Sequence, residues 1–275
     1  MRAGKSPLCV IEEAKARGID EVIVGVSGGM DSVATLDICI RSFRVVRPYF
    51  MYVVPGLEFQ ERYLRYLERF YGVAIDRVPH WMLARVYRDA VFRHSTDQTA
   101  SLRKCRPAHF AAWIRQRTNL WWLATGEKAG DSLERNTSMV RDGAVQESRG
   151  RVYPLAWWST SDVQSYLASK RLALPPDYNL NEQSDPALRS QRGSSFGGIV
   201  TMREIVMIAE RFPGDLAKIR RVFPLVDVQL QRWKQLKDRG LAKPRGRLAK
   251  SKAIPANANQ PNQPQLGNHG EEEVE

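Results

Sequence analysis

The chain has 275 residues and a formal net charge of +12, because 42 lysines and arginines outnumber 30 aspartates and glutamates. This length suits one large α/β domain, alone or with a smaller appendage. No run of eighteen apolar residues occurs, which excludes a transmembrane helix. The N-terminus lacks the apolar core of a signal peptide, so we expect a cytoplasmic protein. Three scattered cysteines without a CxxC pair support neither a zinc knuckle nor a disulfide framework.

Most of the positive charge belongs to the body of the chain rather than to its C-terminal tail, which holds nearly balanced charges. A basic body suits a polyanionic partner such as a nucleotide, DNA or RNA. A solvated basic surface that only favours solubility explains the charge equally well. Nucleic acid is therefore an open partner, and homodimerisation is also left open.

The first half of the chain alternates between predicted strands and predicted helices. The spacing of apolar residues predicts a helix over 7–18, a strand from Val22 to Val26, a helix through Leu36 and Ile40, a strand over 47–54, a helix over 57–71 that ends at Gly72, a strand over 73–78 and a helix over 81–92. This alternation predicts an α/β fold with a doubly wound, mostly parallel, Rossmann-like sheet.

The first predicted strand runs through Ser27-Gly28-Gly29-Met30-Asp31-Ser32 directly into a helix. Gly28 and Gly29 let the backbone turn tightly and approach an anion. The first N–H groups of the helix have no internal partner and would face that anion, with the helix dipole adding attraction. Ser27 and Ser32 add hydroxyl donors. The pattern predicts a phosphate-binding loop, although it lacks the lysine of a Walker A motif.

The string SGGMDS in this position resembles the PP-loop, S-G-G-x-D-S, of the ATP pyrophosphatases in the adenine nucleotide alpha-hydrolase group. An ordinary strand-to-helix turn that uses the same small residues is the plain alternative. The resemblance implies that the loop from Ser27 to Ser32, including Asp31, binds an adenine nucleotide.

A weaker match follows the second predicted strand. Gly56, Phe59 and Glu61 fall on the D-T-G-x-x-F-x-E pattern of the phosphoadenosine phosphosulfate (PAPS) reductase branch. Val54 and Pro55 replace its Asp and Thr, so only Gly56 is carried over as a nucleotide-contact candidate. A plain helix start accounts for Glu61 equally well.

A basic cluster, Arg103-Lys104-Cys105-Arg106, precedes a predicted helix over 108–116. Arg103, Lys104 and Arg106 are candidate contacts for a substrate anion, and solvated surface charges are an equal alternative. For Cys105, a small buried residue is favoured over a reactive thiol.

The second strong motif lies in the stretch LWWLATGEKAGDSLER, which reads as a buried strand, a turn and a charged loop entering a helix. Gly126, Lys128, Asp131, Ser132 and Arg135 fill the pattern G-x-[RK]-x-x-[DEQ]-S-x-x-R, which resembles the second nucleotide-contacting motif of the PAPS reductase branch. Strand carboxyl ends open onto the ligand crevice of such sheets, and Lys128 and Arg135 would face a polyphosphate there. The plain alternative is a charged loop with a helix cap.

A third segment, VYPLAWWSTSDVQSYL, also resembles this branch and is predicted to be structural, with Ser159 or Thr160 capping a helix and Asp162 in its first turn.

We predict four regions along the whole chain. They are a nucleotide-binding α/β domain over 1–180, a flexible loop over 181–200 that is a linker in preference to a lid, a helical subdomain over 201–242, and a disordered tail over 243–275.

The resemblance implies attack at the α-phosphate of ATP with release of pyrophosphate, or binding of an already adenylylated sulfate, so ATP and PAPS or APS are the candidate ligands. Ser27, Asp31, Lys128 and Arg135 are the candidate catalytic residues, acting through positioning and electrostatics. Mg²⁺ is expected on the phosphates, with Asp31 as the nearest carboxylate.

Reductase chemistry by the family's usual route needs a thiolate in an E-C-G-x-H type segment near the C-terminus, and no cysteine follows Cys105. Three isolated cysteines cannot supply four cluster ligands, so no iron–sulfur cluster is expected. Three hypotheses follow: an ATP pyrophosphatase or adenylyltransferase in sulfur metabolism or nucleic-acid modification, a PAPS or APS reductase that uses Cys105 or a partner's thiol, and a non-catalytic nucleotide sensor or DNA-binding regulator.

Overall fold

The computed structural model describes residues 6–175 and 202–240, in which helices and strands alternate. The helices are α1 (Pro7–Ala16), α2 (Met30–Ser42), α3 (Glu58–Tyr71), α4 (Leu83–Arg88), α5 (Asp97–Ala100), α6 (Pro107–Thr118), α7 (Leu133–Asp142), α8 (Thr160–Ser169), α9 (Met202–Arg211), α10 (Pro213–Val222) and α11 (Val226–Asp238), with short 3₁₀ turns at Ala129–Asp131 and Glu147–Arg149. Among these helices, none combines the length and apolar character needed to cross a membrane.

Six strands form one sheet, and all neighbouring pairs are parallel except the last. The strands are β1 (Glu21–Gly25), β2 (Val45–Tyr52), β3 (Asp76–Pro79), β4 (Leu123–Ala124), β5 (Val145–Gln146) and β6 (Arg151–Val152). Their order is β3-β2-β1-β4-β6-β5, and β5 runs antiparallel to β6. The predicted fold class, a mostly parallel Rossmann-like α/β sheet, is confirmed.

Strand β1 lies at the centre because its residues are apolar on both faces. Val22, Ile23 and Val24 are all fully buried, as expected for a parallel strand that is covered on both sides. Val22 and Val24 belong to the core that includes α1, α2, α3 and α8, whereas Ile23 packs with α6 in a separate cluster. The alternation of side chains along the strand therefore separates two layers of helices.

Several element boundaries differ from the sequence-based expectations. Strand β2 covers 45–52 rather than 47–54, because Val53 and Val54 leave the sheet and pack against the C-terminal helices. The helix predicted over 81–92 is only six residues long, and β4 has only two. Pro213 is the first residue of α10, a position that suits a residue with a fixed φ and no N–H to donate. The predicted loop over 181–200 and the tail over 243–275 lie outside the described residues.

Helices α9 to α11 pack against the loop between β2 and α3. Their shared apolar cluster joins both parts through fully or almost fully buried side chains: Val53, Val54, Leu57, Phe59, Ile205, Ile208, Ile219 and Phe223. Phe59 stacks on Phe212 with ring centroids 4.7 Å apart.

The polar part of this contact is the carboxyl group of Asp215, which is only 2% exposed. Its two oxygens accept the N–H groups of Glu58 (2.7 Å) and Phe59 (3.2 Å) at the N-terminus of α3, a position that favours negative charge. Lys218 Nζ lies 3.1 Å from Asp215 Oδ1 and donates to the carbonyl of Gly56 at 2.5 Å. The N-terminus of α3 is therefore capped from within the chain.

We expect Asp215→Ala to lower the free energy of unfolding by about 2–3 kcal/mol, because two buried N–H groups and Lys218 lose their acceptor. Asp227→Ala is the control, since Asp227 pairs with Arg220 on the surface and such pairs contribute less than about 1 kcal/mol. Urea denaturation of both variants measures the difference. Equal losses would show that the buried cap is not a principal contact between α10 and α3.

A second polar network ties α2 to α3 and α8. Asp37 is fully buried and accepts hydrogen bonds from Arg41 Nε (2.9 Å), from the Tyr71 hydroxyl (2.9 Å) and from the Tyr166 hydroxyl (2.6 Å). Burial alone would raise the pKa of Asp37, but the hydrogen bonds from these three residues outweigh it and hold the pKa below its ordinary value.

This depressed pKa gives the fold an acid-dependent component. The contribution of Asp37 is fully present above its unfolded pKa of about 4 and is lost as the pH falls through the lower folded value. We expect Asp37→Asn to lower stability at neutral pH by about 2 kcal/mol or more and to weaken the dependence of stability on pH below about 4. Urea denaturation across this range, with the exposed Asp238→Asn as control, tests the expectation. Parallel pH curves for wild type and Asp37→Asn would contradict it.

Candidate functional site

A cleft of about 420 Å³ opens beyond the carboxyl ends of β1 and β4. In the sheet, β2 and β3 lie on one side of β1, and β4 lies on its other side. The cleft between β1 and β4 is therefore at the point where the strand order reverses. In open α/β sheets this position is where ligands bind. The lining combines residues from both predicted motifs with side chains from β2, from the segment after β3 and from α6.

The phosphate-loop residues are tied together by their own hydroxyl groups. Ser32 Oγ accepts the N–H of Ser27 at 3.1 Å and donates to the carbonyl of Gly29 at 2.8 Å, while Ser27 Oγ accepts the N–H of Gly29 at 3.2 Å. Gly28 has a φ of +81°, a left-handed conformation that a residue with a side chain rarely adopts. No side chain caps α2 at Gly29, and Ser27, Asp31 and Ser32 line the cleft, whereas Gly28 and Gly29 do not.

Gly126 brings the second motif against this loop. A Cβ at this position would lie 2.7 Å from the carbonyl oxygen of Asp31 and 3.0 Å from Thr35 Oγ1. Thr35 Oγ1 itself donates to the Asp31 carbonyl at 2.8 Å, so these atoms have little room to move. Only glycine allows the segment after β4 to pack directly on the first turn of α2.

The two motifs also meet through a charged network. Lys128 is 5% exposed, and its Nζ lies 2.5 Å from Asp31 Oδ2 and 3.5 Å from Asp131 Oδ1. Asp131 Oδ2 accepts both the N–H of Lys128 and Nη1 of Arg135 at 3.0 Å. Arg135 Nε lies 3.3 Å from Glu127 Oε2. Lysine tolerates such burial only when paired, and the pairing fixes its ammonium beside the phosphate loop.

Other predicted site residues lie at the edge of the cleft or outside it. Ser132 caps α7 by accepting the N–H of Arg135 at 3.2 Å, and it lines a neighbouring surface pocket rather than the cleft itself. Gly56 faces the C-terminal helices, where its carbonyl binds Lys218. Arg103 is exposed and lines neither this cleft nor the one that contains Lys104 and Arg106.

No sequence motif singles out the residues that form the other half of the lining, which come mainly from β2, the segment after β3 and α6: Tyr49, Phe50, Met51, Gln60, His80, Trp81, Pro107, Phe110, Ala111, Thr125, Glu127 and Arg151. The feature of the sequence that could have identified these residues is their position relative to the predicted strands. Several of these residues lie at or just beyond a strand's carboxyl end, the edge where a parallel sheet binds its ligand.

His80 and Thr125 are polar residues in this part of the lining, and each has an atom available for a further hydrogen bond. His80 is 6% exposed, and its Nδ1 accepts the N–H of Met82 at 3.1 Å. Burial lowers the pKa of His80, so the ring is neutral and Nε2 carries the proton. Thr125 Oγ1 is buried without a hydrogen-bond partner in the described part of the chain.

The cleft therefore has two chemically different ends. Near β1 and β4 it presents Ser27, Asp31 and Arg135, and the buried Lys128, which is not itself a lining residue, pairs with Asp31. Near β2 and β3 it presents neutral and aromatic side chains such as Phe50, Trp81 and Phe110. Within residues 6–175 and 202–240, no group of three or more His, Cys, Asp or Glu side chains is arranged to hold a metal ion.

The family model of the phosphoadenosine phosphosulfate reductase domain matches residues 21–181, more than half of the chain, and the protein therefore belongs to this family. This confirms the resemblance to the PP-loop group and its PAPS reductase branch. No curated protein matches the chain.

Solved structures that are similar to this chain include three proteins whose activities differ. The PAPS reductase of Candida auris, solved as a phosphate complex, is 15% identical with a TM-score of 0.41, and the match covers 62% of this chain and 82% of that one. The glutamine-dependent NAD⁺ synthetase of Acinetobacter baumannii, solved with ADP, is 12% identical with a TM-score of 0.41 and coverages of 86% and 44%. The U34-tRNA thiolase NcsA of Methanococcus maripaludis, which carries a [4Fe-4S] cluster, is 16% identical with a TM-score of 0.34 and coverages of 80% and 80%.

We expect Gly126→Ala to impair the site, because the added Cβ would push the second motif away from α2. Overpacking of this kind costs about 1–3 kcal/mol. Gly130→Ala is a matched control, since nothing lies within 4 Å of a Cβ built there. Thermal unfolding measures the first effect, and calorimetric titration with ATP compares the affinities of the two variants. Equal stability and equal ATP affinity for both variants would show that this close approach is not required.

Proposed function

We propose that this protein binds ATP in the cleft and cleaves it between the α- and β-phosphates, transferring the adenylyl group to an acceptor and releasing pyrophosphate. The single observation that carries the proposal is the ion pair between the buried Lys128 and the half-buried Asp31, which fixes an ammonium group beside the phosphate loop. Sulfur metabolism and nucleic-acid modification are the two settings in which such a transfer would fit.

The shape and charge of the cleft support a nucleotide with its phosphates near β1. Ser27, the N-terminus of α2 and the side chain of Arg135 would contact phosphate oxygens, since each offers donors or positive charge. The aromatic residues at the other end, including Trp81 and Phe110, offer a surface for a planar base.

The chemistry proposed for these residues is positioning and charge stabilisation. An oxygen or sulfur nucleophile on the acceptor forms a bond to the α-phosphorus, and the bond from that phosphorus to the bridging oxygen breaks, so pyrophosphate leaves with the electron pair. Negative charge on the phosphoryl oxygens increases along this path. Lys128 and Arg135 would stabilise that charge without reorganisation, because ion pairs with Asp31 and Asp131 already fix their positions.

Mg²⁺ fits this site as an ion held mainly by the phosphates. Magnesium is commonly bound by one or two carboxylates together with substrate phosphates. The acidic residues of the cleft, Asp31, Glu127 and Asp131, are all engaged with Lys128 or Arg135, and Asp31 is the one in the phosphate-loop helix. Asp31 would therefore supply a protein oxygen, and the ion would neutralise phosphate charge.

A reductase that uses Cys105 is the second candidate, and one observation favours it. Cys105 lines a cleft that shares Trp81 and Pro107 with the nucleotide cleft, whereas Cys39 is fully buried in the core. In that case the bound nucleotide would be PAPS or APS, and Cys105 would have to reach its sulfate.

The first test is pyrophosphate release from ATP and Mg²⁺, with sulfate, tRNA or DNA added as acceptors. We expect Lys128→Gln to reduce the rate about 10²–10³-fold, as removal of one charge-stabilising donor does. Lys15→Gln, on the exposed face of α1, is the matched control and should retain the wild-type rate. Thermal unfolding of both variants separates lost chemistry from lost folding.

Cys105→Ser distinguishes the two candidates in the same assay. Pyrophosphate release that survives this substitution agrees with adenylyl transfer. Absence of pyrophosphate from wild type, together with PAPS reduction that Cys105→Ser abolishes, would overturn the proposal in favour of the reductase. Nucleotide binding with neither activity would overturn both and leave a sensing or DNA-binding role.

A further inference from the structure

A second cleft of about 400 Å³ opens beside the nucleotide cleft, between α4 and the segment that leads into α6. Trp81 and Pro107 line both clefts and form the boundary between them. A molecule bound in the second cleft would therefore lie next to the nucleotide. This is the position that an acceptor for the adenylyl group needs, and the inference below rests on the function proposed above.

The lining of the second cleft is strongly basic. Arg85, Arg88, Lys104 and Arg106 line it, and Asp89 is the one acidic side chain among the lining residues. Asp89 is already paired with Arg85 and Arg88.

Lys104 and Arg106 are both exposed, and no carboxylate pairs with either in the described part of the chain. Structural ion pairs therefore do not account for these two cations, which favours an anionic ligand.

Aromatic surface accompanies this charge. Trp81 lies at the boundary of the two clefts, and Trp113 is 41% exposed on α6. Trp113 is not itself a lining residue of the second cleft; its ring packs on that of Phe110, which lines the nucleotide cleft, with centroids 5.6 Å apart, and the Arg117 guanidinium lies 5.6 Å from the indole centroid. Exposed indole rings among cations are the pattern by which proteins stack the bases of single strands while tracking their phosphates.

We propose that the second cleft binds the backbone of a single-stranded nucleic acid, which carries the adenylyl acceptor to the nucleotide cleft. Lys104 and Arg106 contact phosphates, and Trp113 stacks a base. A small inorganic anion would use only part of this surface, since the cations extend along α4 and the 104–107 segment, and an acidic peptide would make no use of the exposed indole.

The test measures binding of labelled single strands by fluorescence anisotropy, with RNA and DNA of about 12 nucleotides in separate arms. The double variant Lys104→Gln/Arg106→Gln is compared with Lys15→Gln/Arg69→Gln, which removes the same charge from exposed positions on α1 and α3. Each lost phosphate contact should reduce the slope of log affinity against log salt by about 0.7. We expect a slope reduced by about 1.4 in the first variant and no more than a small uniform change in the control.

Trp113→Ala tests the stacking part independently. It should weaken binding about tenfold while leaving the salt slope unchanged, because stacking releases no counterions. Phe70→Ala is the matched control, since Phe70 is an aromatic residue of similar exposure (47%) on α3. Identical affinities for these two variants would remove Trp113 from the interface.

The thiol of Cys105 reports occupancy of the cleft directly. In a Cys9→Ser background, a single strand should slow the alkylation of Cys105, and inorganic phosphate at the same phosphate concentration should not. Equal protection by phosphate would overturn the proposal in favour of a small-anion site. Equal affinity for polyglutamate, or equal salt slopes for both double variants, would also overturn it.

The pyrophosphate assay keeps this inference separable from the proposed function. Pyrophosphate release from a protein that binds neither RNA nor DNA would overturn the nucleic-acid acceptor alone. Strand binding at the second cleft without pyrophosphate release under any condition would overturn adenylyl transfer alone.

Discussion

The ion pair between the buried Lys128 and the half-buried Asp31 is the constraint on which the site depends. An ammonium group in a nearly dry position is costly unless a carboxylate pairs with it, so each residue restricts where the other can lie. Asp31 belongs to the first turn of α2 and Lys128 to the loop after β4, and the pair therefore joins the two motifs. Gly126 makes the distance achievable, because no side chain stands between the two segments.

The C-terminal helices are related to the site through their contact with α3. Asp215 caps α3 through two N–H groups, and α3 carries Gln60 into the lining of the cleft. The N-terminus of α3 is thus committed to an internal carboxylate, whereas the N-terminus of α2 carries no side-chain cap. A helix N-terminus without a side-chain cap is the kind of junction that suits an anionic ligand.

The sequence located the charged half of the cleft because that half depends on local chemistry. Gly28, Ser32 and the loop before α2 form a contiguous motif, and Gly126 with Lys128 forms another, so both could be matched to patterns of the family that the chain resembles. Element boundaries were less accurate where tertiary contacts compete with propensity. Val53 and Val54 suit a strand, but burial against α9 to α11 takes them out of the sheet.

What the sequence determined by itself is the alternating α/β order, the phosphate-loop context and the family, since these follow from periodicity and contiguous motifs. Tertiary structure alone decided which distant residues meet. His80 and Phe110 carry no motif, yet they line one cleft because parallel strands bring their carboxyl ends to one edge. It also placed Gly56 against Lys218 and outside the cleft. Such pairings depend on packing between layers, which residues adjacent in sequence do not encode.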